Sequence, residues 1–169
     1  MKKYLSIFLI PALVLFVFTG CFKDPEPPVC DYDPCAVKAP AAEIAAVQQY
    51  LDSLGITATQ HCSGLFYIVH YEGSGKTPQS CLNVVAKYKG MFTNGTVFDQ
   101  STTGVEFNLG GVITGWTKGI PLIKNGGIIT LYIPPSLAYG NRSLTDQNGN
   151  VVIPPNSILI FEVELTAVQ

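Results

Sequence analysis

The sequence predicts an α+β fold in which about five antiparallel strands form a sheet with one short helix on its face. From Gly64 onward, segments rich in β-branched and aromatic residues recur between glycine and proline stops. Among them, one internal stretch, "GWTKGIPLIKN", reads as a helix that ends at "NGG". An Asn-Gly pair in "TNGTVFD" supplies a tight-turn signal between two of the strands.

The first twenty residues stand apart from that domain. Lys2 and Lys3 precede an apolar run from Tyr4 to Phe18, followed by small residues before Cys21. This is the layout of a secretory signal, and the run, interrupted by Pro11, is short of the ~20 residues a spanning helix needs. "FTGC" resembles a bacterial lipobox, which makes Cys21 the expected lipidated N-terminus of the exported chain; ordinary cleavage nearby is the alternative. Residues 21–39 are rich in Pro and Asp and read as a flexible tether. A lipid on Cys21 would hold the protein to a membrane without spanning it. The expected location is therefore a bacterial cell envelope, with the acidic "KDPE" next to Cys21 as a weak pointer to the outer membrane.

Residues 40–63 come next. Pro40 opens and Gly55 closes a helical stretch in which Ile44, Val47, Leu51 and Leu54 share one face. Packing on the following domain is the expected use of that face, and dimerisation is the alternative. One short helix offers little area for a dimer, so a monomer is expected.

Cys30, Cys35, Cys62 and Cys81 are an even set in an exported chain, which points to disulfides. Three pairings are open, including a local Cys30–Cys35 loop. A zinc site is the alternative reading, and no metal or cofactor is expected. Removing Lys2 and Lys3 from the ten basic residues leaves eight against twelve acidic ones, a net of about −4. With no basic cluster, nucleic acid is not an expected partner. His61 precedes the domain that begins at Gly64 and His70 lies in its first strand segment; no Ser-His-Asp or Cys-His arrangement or phosphate-binding glycine motif accompanies them, and both read as surface residues rather than ligands.

The ordered motifs "VVAKYKGMFTNGTVFD", "EFNLGGVITGWTKGIPLIKNGG", "LYIPPSLAYG" and "VIPPNSILIFEVEL" resemble the FKBP-type peptidyl-prolyl cis-trans isomerases from about Gly64 to the C-terminus. The resemblance implies a sheet wrapped around the helix, enclosing an apolar pocket for a prolyl ring, and substrates that are proline-containing polypeptides. It makes Trp116, the only tryptophan, the pocket floor. A flat, rigid indole suits a five-membered ring lying face-on.

By the same resemblance Tyr88, Phe98 and Phe161 are walls and Phe107 is an aromatic at the edge. Val112 and Ile113 line the base, and Val152 and Ile153 form the rim. Asp99 and Tyr139 are the expected catalytic positions, with the Tyr139 hydroxyl reaching a substrate carbonyl. Two features depart from the family pattern. Val105 stands at a wall position where many members have an aromatic, implying a more open wall. The polar loop "NRSLTDQNGN", residues 141–150, stands where relatives set preference for the residue before proline. The implied activity is isomerisation of X-Pro bonds in exported proteins, by a lipid-anchored folding factor. The alternative is a chaperone or binding module with little turnover, whose relatives typically lose the Trp, the Asp or the Tyr.

Overall fold

The computed structural model describes residues 30–169. The expected signal peptide, lipidated Cys21 and the tether up to residue 29 lie outside the described residues. Helix α1 (Ala41–Ser53) is followed by β1 (Thr59–Gln60), β2 (Phe66–Tyr71), β3 (Asn83–Phe92) and β4 (Val97–Asn108). Helix α2 (Thr114–Gly119), β5 (Ile128–Ile133), β6 (Leu144–Thr145), β7 (Val151–Ile153) and β8 (Leu159–Val168) complete the chain. The main sheet is antiparallel with order β1-β2-β5-β8-β3-β4, and β6 and β7 form a separate hairpin. The five long strands are those expected. The sixth is the two-residue β1, within the turn-like connector after α1, which is too short to carry a periodic signal.

Period-two alternation divides the sheet into two apolar faces. Ile129, Leu131 and Ile133 of β5 and Leu159, Phe161, Val163 and Leu165 of β8 join Trp116 and Ile120 in the main core. Tyr132 and Ile160, on intervening positions, face the other way with Phe66 and meet Val47 and Leu51 of α1. Thus α1 packs on the side of the sheet opposite α2. Leu54, expected on the buried face of α1, is 56% exposed because the helix has already ended at Ser53.

Helix α2 lies unusually close to β5. A Cβ on Gly115 would come within 2.6 Å of Ile133, and one on Gly119 within 2.6 Å of Leu131. These glycines, one turn apart on the same face, let the helix backbone rest on the strand and fix the depth of Trp116 between them. Pro121 has no N–H to offer the carbonyl of Thr117, so the α-helix stops at Gly119 and tightens into a 3₁₀ turn at Ile120–Leu122. The Ser80 hydroxyl donates to the Thr117 carbonyl instead, at 3.1 Å.

The part of the expected tether that is described, residues 30–39, differs from a free linker. Disulfides Cys30–Cys81 and Cys35–Cys62 clasp it to the domain, and Ala39 is buried. The local Cys30–Cys35 loop is not formed. Between the two clasps the Pro34 carbonyl accepts a hydrogen bond from Lys118 Nζ, which lies 5.2 Å from the centroid of the Tyr32 ring. Lys118 is only 1% exposed, and burial pushes its ammonium pKa down. Among the described residues, no helix is long and apolar enough to cross a membrane.

Candidate functional site

A cavity of about 750 Å³ opens between α2 and the inner face of the sheet near β3, β4 and β8. Trp116, 3% exposed, is its centre. Three aromatic rings stand edge-on to the indole, with Phe107 at 5.0 Å, Phe161 at 5.3 Å and Tyr88 at 5.4 Å between centroids. T-shaped contacts of this kind set the positive edge of one ring against the negative face of the other and help fix all four rings. The Trp116 Nε1–H is buried and meets no acceptor among the described residues, against the usual pairing of buried donors.

Phe98 extends the wall, 5.5 Å from Phe161 and perpendicular to it. Both rings crowd the backbone of Gly90, where a Cβ would lie 2.7 Å from Phe98 and 2.9 Å from Phe161. Gly90 pairs with Asp99 on one side and Phe161 on the other, so its missing side chain makes room for the wall. Val112 and Ile113, immediately before α2, and Val152 and Ile153 of β7 also line the cavity.

Tyr88, Asp99 and Tyr139 bring polar groups to the rim. The Tyr88 hydroxyl donates to Asp99 Oδ2 at 2.7 Å, aligning the carboxylate beside the cleft. Burial, and then the hydrogen bond and charge of Asp99, push the Tyr88 pKa up to about 12. Tyr139 follows the 3₁₀ turn Pro135–Leu137, and burial followed by the charge of Asp99 raises its pKa also. Both phenols are therefore neutral donors near neutral pH.

Of the twelve residues expected to surround a ligand, eleven line this one cavity. Val105 does not: it is 41% exposed on edge strand β4, just past a register shift between Tyr88↔Ser101 and Ala86↔Val105. With no strand beyond β4 among the described residues, Val105 borders solvent. Gly111, Thr114, Ala138, Arg142 and Leu144 line the cavity without having been expected. The polar loop is a hairpin across the cleft, and its only large apolar residue, Leu144, was the available signal. Among the described residues, no group of three or more His, Cys, Asp or Glu converges as metal ligands would.

Residues 68–166 match the family profile described as FKBP-type peptidyl-prolyl cis-trans isomerase. The FKBP-type peptidyl-prolyl cis-trans isomerase FkpA of Escherichia coli K12 is 46% identical over 110 residues, covering 63% of this chain and 38% of that protein. The probable FKBP-type peptidyl-prolyl cis-trans isomerase of Haemophilus influenzae is 45% identical over 110 residues, 63% of this chain and 44% of that protein. The crystal structure of FkpA from E. coli superposes with a TM-score of 0.65 and 40% identity, over 76% of this chain and 60% of that one. A peptidyl-prolyl cis-trans isomerase from Pseudomonas syringae pv. tomato gives 0.65 and 30%, over 79% of this chain and 98% of that one. This chain spans less than half the length of the curated relatives it matches.

Proposed function

The chain belongs to the FKBP-type peptidyl-prolyl cis-trans isomerase family, and on that premise we propose that it catalyses rotation about X-Pro bonds in proline-containing polypeptides. The observation that carries the reading is the Trp116 floor ringed by Tyr88, Phe107 and Phe161, with Asp99 and Tyr139 beside it.

Amide resonance sets the barrier to rotation at ~18–20 kcal/mol, although cis and trans differ little in energy at proline. The planar amide is the more polar, charge-separated form. Seating the prolyl ring on Trp116, between Phe98 and Phe161, moves that amide out of water and disfavours the planar form relative to the twisted one. The Tyr139 hydroxyl donates to a peptide carbonyl and holds one side of the bond while the other turns. Asp99, oriented by Tyr88, biases the field at the rotating amide. Each tenfold in rate needs only ~1.4 kcal/mol of differential stabilisation. No nucleophile, metal or proton transfer is required.

The reading extends to a lipid-anchored folding factor of the bacterial envelope. Its supports are the lipobox-like "FTGC", the preceding signal-like segment and the two disulfides. Labelled fatty acid should be incorporated by the full chain expressed in a bacterium and not by Cys21→Ser. Magnetisation-exchange NMR on X-Pro peptides tests the activity. Exchange should accelerate with the wild type and slow markedly with Asp99→Ala and Tyr139→Phe. A folded wild type that accelerates no peptide would overturn the isomerase reading.

A further inference from the structure

Arg142 and Leu144 reach the cleft from the start of the β6–β7 hairpin, and neither is consumed by folding. Among the described residues, no carboxylate or carbonyl accepts from the Arg142 guanidinium within hydrogen-bond or ion-pair distance, and Leu144 is 41% exposed. The one acid on the hairpin, Asp146, is already engaged. It accepts from Asn148 N at 2.8 Å, Asn150 N at 2.9 Å and Asn150 Nδ2 at 2.9 Å, closing its own turn. Asp99, the one acid among the described residues that lines the cavity, accepts from Tyr88.

The hairpin is held in place independently of any ligand. Leu144 pairs with Ile153, which is buried, and Asn156 N donates to the Gly140 carbonyl at 2.7 Å just before Arg142. A guanidinium with no acceptor among the described residues and an exposed aliphatic side chain are thus presented together at the mouth of an apolar cleft. A side chain with a short aliphatic stem and a terminal carboxylate would complete both.

We propose that the cleft selects prolyl sites directly flanked by an acidic residue, glutamate above others. Its stem would lie on Leu144 while its carboxylate meets Arg142. The proposal rests on the isomerase reading only for its rate measurement.

The test compares short peptides with Glu, Gln or Leu beside a single proline, in separate sets for the preceding and following positions. Glu and Gln differ in charge but scarcely in shape. Turnover is measured by exchange NMR, and binding by emission of the single Trp116. At one flanking position, Glu should exceed Gln by about two- to fivefold, the range an exposed ion pair supplies. That ratio should fall towards one at ~1 M salt, where the screening length is about 3 Å. Arg142→Gln should collapse the ratio, and Arg142→Glu should invert it. Turnover of the Leu peptides with a Glu/Gln ratio of one or below at both positions would overturn the proposal. If no peptide turns over, the isomerase reading falls, and the binding ratio alone decides the preference.

Discussion

The Glu43 carboxylate in the first turn of α1 accepts a hydrogen bond from the backbone N–H of Ser136 at 2.8 Å. Ser136 belongs to the 3₁₀ turn Pro135–Leu137, whose Pro135 carbonyl accepts from the N–H groups of Ala138 and Gly140 on either side of Tyr139. A helix that precedes the family-matched region therefore braces the turn that carries a rim hydroxyl. Glu43→Ala should lower isomerase kcat/KM by about three- to tenfold, the scale of a charge-assisted hydrogen bond. Glu43→Gln keeps an acceptor oxygen and should recover part of that loss. If Glu43→Ala leaves kcat/KM unchanged, α1 plays no part in positioning Tyr139.

Burial of Tyr88, together with its hydrogen bond to Asp99, gives an alkaline signature. Tyr88 holds its proton more tightly folded, with a pKa of about 12, than unfolded, where the ordinary value is 10.0. Its contribution to stability is therefore complete below about pH 10 and is lost as pH rises through 12. Urea unfolding should show a decline across that window that is shallower in Tyr88→Phe. Equal slopes in the two proteins would show that folding does not hold the Tyr88 proton.

Trp116 fills the cleft floor and is also the only tryptophan, so its emission reports the site directly. Proline-containing peptides should change its emission saturably, and glycine-substituted controls should not. Trp116→Ala should cost about 3–5 kcal/mol of stability, as large aromatic truncations do. Trp116→Phe should stay folded with turnover reduced roughly tenfold, a differential of ~1.4 kcal/mol. Unchanged turnover in a folded Trp116→Phe would remove the indole from the mechanism.

The two clasps close loops of 51 and 27 residues. Removing either as a Cys→Ser pair should lower unfolding free energy by about 2–4 kcal/mol. The 51-residue loop, Cys30–Cys81, is the larger loss in the chain-entropy account. Chemical denaturation of each variant against wild type measures both values.

Helix α2 has no room to spare on β5. Gly115→Ala and Gly119→Ala should each cost about 1–3 kcal/mol by overpacking against Ile133 and Leu131. An Ala variant as stable as wild type would show that this approach can relax without cost.

By itself, the sequence determined the parts that local pattern encodes. The strand segments around Ile129–Ile133 and Leu159–Leu165, α1, the single internal helix and the aromatic set around Trp116 were all legible. Each rests on the period of neighbouring residues or on a short motif. Only the tertiary structure decided which cysteines meet, that α1 covers the face opposite α2, and that Glu43 reaches Ser136. It also turned the polar loop into a hairpin aimed at the cleft and left Val105 at an open edge. The cysteine pairs, the seat of α1 and the Glu43 contact join residues far apart in the chain, and Glu43 and Ser136 are separated by 93 positions. Such meetings depend on strand register and on the depth at which a helix seats, set by close-packed contacts that no local window contains.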